Sequence, residues 1–286
     1  MKDKTVVVTG ATSGIGYAVA GLLMSQGAFV IGVGRSAERC REAEARLSAA
    51  HPEGSTTYCV ADLSLQSQVR EAAAQIREIL SSDGVPWLDG LVNNAGTFTY
   101  QFTLTPEGFE TQWAVNHLAA FLLTHELLPQ LQAARAARVV TVSSMSHFLG
   151  RMHWDDVQLQ RGYNGLRAYR QSKLANVLFT LELDRRVGAG SRLRAFAADP
   201  GLVNTDIGAK GNPGFVGWIW KRRAASGMTP EESARGVAYL VSEPSIQDAP
   251  EIYWKHGRPK TPGRNALDGA AARRLWALSE QMCGVG

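Results

Sequence analysis

A glycine-rich turn between a predicted strand and a predicted helix is the feature that most restricts the fold. Thr5–Thr9 is a continuous β-branched run, which is typical of a strand that is buried on both faces. A G-x-x-x-G-x-G turn follows at residues 10–16, and a helical apolar pattern then continues to about residue 27. Such glycines permit a tight turn and let the backbone approach a phosphate at the helix N-terminus. The strand and helix on either side favour a dinucleotide site over a purely structural turn.

Strand and helix patterns alternate along the rest of the chain. Further strands are predicted at 28–33, 58–60, 88–92, 138–143, 194–198 and 251–254. Helices are predicted at 37–49, after 64, at 107–131 behind a Thr-Pro start signal, from 167, at 229–241 and at 270–282. This order predicts an α/β fold, a single doubly wound parallel β-sheet of Rossmann type, with about seven strands and helices on both faces. No repeat or linker divides the sequence, so we expect one domain over residues 1–286.

Composition and charge limit the classes of function. Of the 286 residues, 45% are hydrophobic and 20% are charged, which is ordinary for a soluble globular protein. The net charge of +4 forms no long basic stripe, and this argues against nucleic-acid binding. The three cysteines lack metal-ligand spacing and suit a reducing compartment. No apolar run approaches the ~18 residues of a membrane span, and no signal peptide is recognisable. We therefore expect a cytoplasmic protein with no metal site and no integral membrane segment.

The end of the second strand indicates the type of nucleotide. Many NAD-specific sites place an acidic residue there to bind the ribose 2′-OH. Here Arg35 stands in that region, and no acidic residue accompanies it. A guanidinium suits a 2′-phosphate because it can make two parallel hydrogen bonds. We therefore predict NADP(H) rather than NAD(H), with a merely solvated Arg35 as the alternative.

Tyr169 and Lys173 are the first candidates for chemistry. They lie four residues apart on a predicted amphipathic helix, so their side chains share one face. A free phenol ionises near about pH 10, which is too high for a base at neutral pH. A nearby ammonium favours the phenolate and lowers its pKa, so Tyr169 could exchange a proton with an alcohol. Taken alone, the two residues could equally be an ordinary surface pair.

Polar residues follow several predicted strands, at the edge where open α/β sheets bind ligands. Ser144 follows the fifth strand and offers a hydroxyl there. Asp62 could bond an adenine edge, or it could cap the next helix. Asn93 and Asn94 could brace a loop by bonding its backbone, next to an Ala-Gly pair that leaves room for a ribose.

Other polar residues leave two interpretations open. Asn116 in the middle of a predicted helix is mildly unfavourable, so it has either a polar task or a place in an ordinary core. His147 and His153 suggest a metal or base pair, but their apolar neighbours favour loop or pocket-wall positions. The segment 147–166 is expected to lie over the site. Thr205, which follows the turn at Pro200, could donate to a phosphate or an amide.

The irregular segment 208–227 combines aromatic residues with a basic cluster at 221–223. We expect it to form a substrate loop or lid over an apolar molecule. A membrane contact and an oligomer interface are the two alternatives.

The candidate motifs follow one another in a recognisable order, which is Thr9-Gly10-x-x-x-Gly14-Ile15-Gly16, Asn93-Asn94-Ala95-Gly96, Asn116, Ser144, Tyr169-x-x-x-Lys173 and Pro200-Gly201. This order resembles the short-chain dehydrogenase/reductase family from residue 5 to about residue 255. The stretch 168–180 and the long spacing between Ser144 and Tyr169 resemble the retinol-dehydrogenase-like branch of that family.

The resemblance implies a role for each motif residue. Tyr169 would be the acid in reduction and the base in oxidation, and Lys173 would lower its pKa and hold the nicotinamide ribose. Ser144 would position the carbonyl oxygen, and Asn116 would anchor a water of the proton relay. The implied cofactor-binding set is Gly10, Thr12, Ser13, Gly14, Ile15, Gly16, Arg35, Asp62, Leu63, Asn93, Ala95, Gly96, Tyr169, Lys173, Pro200, Gly201, Val203 and Thr205.

The expected activity is an NADP(H)-dependent hydride transfer that interconverts an alcohol and a ketone or aldehyde on an apolar small molecule. The resemblance also implies that a homo-oligomer can form. One alternative is a catalytically idle dinucleotide-binding regulatory or scaffold protein, which would have no need of Ser144, Tyr169 and Lys173 together. Another is a peripheral membrane protein that uses the aromatic and basic residues at 215–223.

Overall fold

The computed structural model describes residues 1–188, 191–202 and 227–286. Within these residues one eight-stranded sheet forms, in the order β3-β2-β1-β4-β5-β6-β7-β8. The strands are β1 (Thr5–Thr9), β2 (Phe29–Gly34), β3 (Ser55–Val60), β4 (Gly90–Asn93), β5 (Ala137–Val142), β6 (Leu193–Asp199), β7 (Tyr253–Lys255) and β8 (Arg258–Pro259). The pairs from β3 to β7 are all parallel. The predicted α/β sheet is therefore confirmed. From β1 the sheet extends through β2 and β3 on one side and through β4 and the later strands on the other.

Helices cover both faces of the sheet, so each face has its own core, and the valines of β1 alternate between these two cores. Val7 joins the core beneath one set of helices, whereas Val6 and Val8 join the core beneath the other. The helices are α1 (Gly14–Met24), α2 (Ala37–Ala50), α3 (Gln66–Ser82), α4 (Thr111–Trp113), α5 (Ala119–Ala133), α6 (Gly165–Val187), α7 (Pro230–Ser242) and α8 (Gly269–Cys283). α1, α2 and α7 contribute to the second core, and α3, α5, α6 and α8 contribute to the first.

The edge of the sheet differs from the prediction. Tyr253–Lys255 is the expected last parallel strand, but Arg258–Pro259 then pairs with it in antiparallel fashion. His256 and Gly257 have φ angles of 51° and 70°, which is the left-handed geometry of a tight hairpin turn. A two-residue strand has too little pattern to be recognised from sequence.

The predicted helix at 107–131 begins later and is not uniform. Residues 105–108 form a turn, in which Gly108 N–H donates to the carbonyl of Thr105. Glu110 is the real N-cap, since its carboxylate accepts from the backbone N–H groups of Gln112 and Trp113. α4 then passes into a π-helical segment, Ala114–Leu118, before α5 continues to Ala133. The sequence therefore misplaces the helix start and gives no sign of the wider turn.

The last helix, α8, packs on α6 and completes one face of the protein. The ring of Trp276 lies 5.1 Å from that of Phe121 and 5.9 Å from that of Phe179, measured between centroids. The C-terminal end of α8 is held by α3, because Gln66 and Arg70 donate to the carbonyls of the last helical residues. Among the described residues, none of the helices is long and apolar enough to cross a membrane.

Candidate active site

The glycine turn joins the carboxyl end of β1 to α1. Gly10 has a φ of +67°, a conformation that favours glycine. Gly16 is required by contact rather than by φ, because a Cβ there would lie 2.4 Å from the carbonyl oxygen of Gly10 and from Nδ2 of Asn94. The helix therefore begins directly against the turn, and its first N–H groups point to the carboxyl edge of the sheet.

Thr9 and Asn94 hold this turn in place. The Thr9 hydroxyl oxygen accepts from the backbone N–H groups of Asn94 and Ala95, each at 3.0 Å. The Asn94 side chain donates to the carbonyl of Thr9 at 2.8 Å. Asn94 therefore braces the loop, as the double amide predicts. The Asn93 side chain instead points into the core and donates to Thr124, so only its backbone is available to a cofactor.

Tyr58 also supports the turn, a role that the sequence analysis does not predict. Its hydroxyl donates to the carbonyl of Ala11 at 2.9 Å, and its ring fills the space above Gly32. A glycine in β2 opposite an aromatic residue in β3 is a signal that could have indicated this contact, because the two residues are register partners.

Arg35 and Asp62 lie beyond the ends of β2 and β3. Arg35 is exposed, directly after the last residue of β2. Asp62 accepts from the N–H of Ser64 at 3.0 Å and so closes a local turn. It is not the cap of α3, whose first N–H groups donate instead to the carboxylate of Glu107. The capping alternative for Asp62 is therefore wrong, because the chain takes one more turn before the helix begins.

The π-helical segment directs Asn116 towards the active-site helix α6. Its side chain accepts from the N–H of Thr97 at 2.7 Å and donates to the carbonyl of Thr97 at 3.0 Å. The amide also donates to the hydroxyl of Ser172 at 3.0 Å. A wider turn of this kind is common at functional sites, since it rotates side chains out of the regular helical register. Asn116 thus has a polar task, linking the loop after β4 to the residue beside Lys173.

Ser144, Tyr169 and Lys173 converge at the end of β5. Ser144 lies close to the Tyr169 phenol, and its own hydroxyl donates to the hydroxyl of Ser146 at 3.3 Å. The Lys173 ammonium lies 5.7 Å from the centroid of the Tyr169 ring and donates to the carbonyl of Val142 at 3.0 Å. The Ser143 hydroxyl donates to the carbonyl of Lys173, which ties α6 to the strand end. A phenol, a hydroxyl and an ammonium therefore share one small region.

The pKa values of this group differ from the expectation. Burial raises the pKa of Tyr169 to about 12, although nearby Ser144 opposes this rise, and nearby Asp199 raises the pKa further. Burial lowers the pKa of Lys173 to about 8. The expected lowering of the Tyr169 pKa by Lys173 is wrong here, because desolvation of the phenolate dominates and the ammonium is engaged by a backbone carbonyl. Tyr169 is therefore protonated at neutral pH and can donate a proton.

His147 is a structural residue behind Ser144. Its Nδ1 lies 2.7 Å from the carbonyl of Ser144, and its Nε2 accepts from the N–H of Gly263 at 2.9 Å. Burial lowers the pKa of His147, which suits a neutral ring with the proton on Nδ1. The backbone N–H of His153 donates to the side chain of Gln171. Among the described residues, no group of three or more His, Cys, Asp or Glu side chains is arranged to hold a metal ion.

The turn after β6 is fixed by Asp199 and crowded by His256. Asp199 accepts from the N–H of Gly201 at 2.9 Å and from the hydroxyl of Tyr253 at 2.8 Å. Gly201 has a φ of +83°, and a Cβ there would lie 2.3 Å from the ring of His256. Pro200 and Gly201 therefore sit at the same sheet edge as the other candidates. Val203, Thr205 and the predicted lid, apart from residue 227, lie outside the described residues.

The residues present fit a dinucleotide. The turn at Gly10–Gly16 brings the N-terminus of α1 to the sheet edge. Lys173 is only 3% exposed, and its ammonium has one acceptor, the Val142 carbonyl, in the described part of the chain. Its remaining N–H groups suit hydroxyl acceptors such as those of a ribose. Chemically, the arrangement can bind phosphates at one end and transfer a proton at the other.

Comparisons with known proteins agree with this geometry. Residues 4–214 match the family model described as short chain dehydrogenase. The chain is 36% identical to retinol dehydrogenase 14 of Mus musculus, covering 100% of this chain and 87% of that protein. It is 31% identical to polyprenol dehydrogenase of Homo sapiens, covering 99% and 86%. A solved structure of an uncharacterized protein from Mycobacterium Paratuberculosis matches with a TM-score of 0.78 and 37% identity, covering 99% of this chain and 94% of that chain.

Proposed function

Since the chain belongs to the short-chain dehydrogenase family and to its retinol-dehydrogenase-like branch, we propose that it interconverts an alcohol and a carbonyl compound with NADP(H). The observation that supports this activity is the placement of the Tyr169 phenol between Ser144 and the buried ammonium of Lys173, which lies 5.7 Å from the centre of its ring. These groups meet at the carboxyl edge of the sheet, which is also where the glycine turn lies. The bound nicotinamide would supply or accept the hydride, and the chain's own residues manage the proton.

In this proposal Tyr169 is the general acid in reduction and the general base in oxidation. Its raised pKa keeps the phenol protonated at neutral pH, so the residue is ready to donate to a carbonyl oxygen. Ser144 lies close to the phenol and can donate to the same oxygen, which stabilises the charge that develops there. Lys173 holds the ribose hydroxyls, and Asn116 links the site to the loop after β4.

The choice of NADP(H) rests on Arg35. Its guanidinium is exposed immediately after β2, where a 2′-phosphate would be bound, and no acidic residue follows it before Glu38. A charge-assisted hydrogen bond contributes about 1.5–3 kcal/mol, and each ~1.4 kcal/mol is tenfold in affinity. Arg35→Ala should therefore weaken NADPH binding by about ten- to hundredfold and leave NADH binding nearly unchanged. Quenching of tryptophan fluorescence measures both affinities, and equal losses for the two nucleotides would refute the assignment.

The substrate is proposed to be an apolar small molecule. Met145 and Leu149 follow Ser144, Leu202 follows Gly201, and all three side chains are more than half exposed. The edge of the Phe98 ring lies against Tyr169, with 5.6 Å between centroids. Apolar surface next to a proton donor suits a long-chain or isoprenoid alcohol or aldehyde, as the names of the retinol and polyprenol dehydrogenases suggest.

The activity is tested by turnover of purified protein. NADPH oxidation would be followed with retinal and with straight-chain aldehydes, and Tyr169→Phe serves as the matched control because it removes only the hydroxyl. We expect a loss of at least about 100-fold in kcat for this variant, as is typical when a general acid is removed. Nucleotide binding without turnover on any carbonyl would favour a catalytically idle dinucleotide-binding protein instead.

A further inference from the structure

The carbonyl that holds the Lys173 ammonium is shared with a second side chain. Val142 ends β5, and its oxygen accepts from Nζ of Lys173 at 3.0 Å and from Nδ2 of Asn176 at 3.2 Å. Asn176 lies one turn further along α6 and is 2% exposed, so solvent does not compete for its amide. An oxygen that serves two donors holds each less strongly than it would hold one. Asn176 therefore limits how tightly Val142 can draw Lys173 away from Tyr169.

His117 lies on the other side of Asn176. It is fully buried, directly after Asn116 in the π-helical segment, and its Nε2 lies 2.8 Å from the hydroxyl of Ser279 on α8. Nδ1 of His117 and Oδ1 of Asn176 are both buried and have no close hydrogen-bond partner. The Asn176 side chain is therefore held through its nitrogen, which donates to the Val142 carbonyl. The Asn176 amide is thus oriented with nitrogen towards Val142.

We infer that Asn176 is a positioning residue for Lys173 and acts through the Val142 carbonyl that the two side chains share. The inference rests on the proposed function, because it concerns the lysine of that site. The lysine is therefore held by a strand-end carbonyl that a second buried donor, one turn further along α6, also binds.

Two substitutions at Asn176 test the inference. Asn176→Leu keeps the branching and the number of side-chain heavy atoms but removes the donor, so Val142 is left to the ammonium alone and the protonated lysine is favoured. Asn176→Asp also removes the donor and adds a negative charge beside the lysine. Thr180→Val is the matched control, because Thr180 is equally buried on α6 but bonds only the backbone of Asn176.

The first readout is the titration of Lys173 itself, followed by NMR of lysine labelled with ¹³C at Cε and assigned with Lys173→Arg. In the wild type we expect a pKa of about 8. Asn176→Leu should raise it by about half a unit, and Asn176→Asp by about one to three units, the usual effect of an adjacent opposite charge. Thr180→Val should leave it unchanged. A Lys173 titration that is the same in all four proteins overturns the inference.

The second readout is steady-state kinetics. Asn176→Leu should lower kcat by about tenfold or more and shift the alkaline limb of the pH profile with the Lys173 pKa, whereas Thr180→Val should do neither. If Asn176→Leu fails to fold, the near-isosteric Asn176→Asp carries both readouts. A wild-type protein without turnover would contradict the proposed function, but the NMR titration would still decide the role of Asn176. Lower kcat with an unmoved lysine titration would assign Asn176 a purely structural role and refute the positioning role.

Discussion

Mild acid should destabilise the fold through His117. Burial lowers the pKa of this ring to about 3, whereas an unfolded chain returns it to the ordinary value of 6.5. Between these two values the unfolded state binds one more proton than the folded state. The contribution of His117 to stability is therefore complete above pH 6.5, and it is lost progressively as the pH falls towards 3.

The size of the effect follows from the separation of the two pKa values. Each pH unit below 6.5 costs about 1.36 kcal/mol until the folded-state pKa is reached. From pH 7 to pH 5 only about one and a half units lie below the unfolded pKa, so the expected loss is about 2 kcal/mol. Such a loss is a large share of the stability of an ordinary domain.

The assay is urea unfolding at pH 7, 6 and 5, for the wild type and for His117→Gln. Gln cannot titrate but can still contact Ser279. Carboxylates and the other histidines titrate in both proteins, so they cancel in the difference between the two stability curves. At pH 7 the variant should be the less stable protein, because the fit of the buried ring is lost. Its stability should then fall by about 2 kcal/mol less than that of the wild type on going to pH 5.

The change in the free energy of unfolding with pH, compared between the two proteins, decides the outcome. If the two stabilities fall in parallel between pH 7 and pH 5, His117 does not titrate as an isolated buried ring, and the reasoning from its burial is refuted. The m-values must stay equal as well, since a change in m would mean that the denatured state differs.

Three further perturbations have expected outcomes. Glu107→Gln weakens the cap of α3 and should cost about 1 kcal/mol in urea unfolding, whereas Glu71→Gln on the same helix should cost almost nothing. Thr9→Val leaves two backbone N–H groups without their acceptor and should cost about 2–4 kcal/mol; an unchanged melting temperature would contradict the role of Thr9. Gly16→Ala pushes a methyl group against the backbone of the glycine turn. This variant should bind NADPH at least about tenfold more weakly in a fluorescence titration. An unchanged affinity for NADPH would show that the turn can move aside.

The sequence was sufficient for the architecture because the strands of a parallel sheet are long, apolar and bounded by glycine turns. The run at Thr5–Thr9 is an example, and every residue in it is buried as expected. The two-residue strand Arg258–Pro259 and the π-helical segment Ala114–Leu118 could not be predicted. Both depend on backbone geometry that leaves no periodic pattern in the side chains.

For the candidate site, the sequence indicated which residues lie together but not how their surroundings shift their pKa values. The spacing of Tyr169 and Lys173 predicts that they share a helix face, the end of the fifth strand places Ser144 near them, and the family resemblance adds Asn116. The rise in the Tyr169 pKa could not be predicted, because it depends on how deeply the phenol is buried. Asp62 was misjudged as a cap candidate for the same kind of reason, since the cap of α3 comes from Glu107 far along the chain.

The position of α8 has a consequence for synthesis of the protein on the ribosome. The aromatic face of α5 and α6, with Phe121 and Phe179, is covered by Trp276 from the last helix of the chain. During translation α5 and α6 are made before α8, because α6 ends at Val187 and α8 begins only at Gly269. Nascent chains therefore present an open apolar surface until α8 has emerged, and under that condition chaperones are engaged and neighbouring chains can associate. Stalling translation before residue 269 should therefore yield chains that aggregate, although the whole glycine turn and the Tyr169 helix are already made.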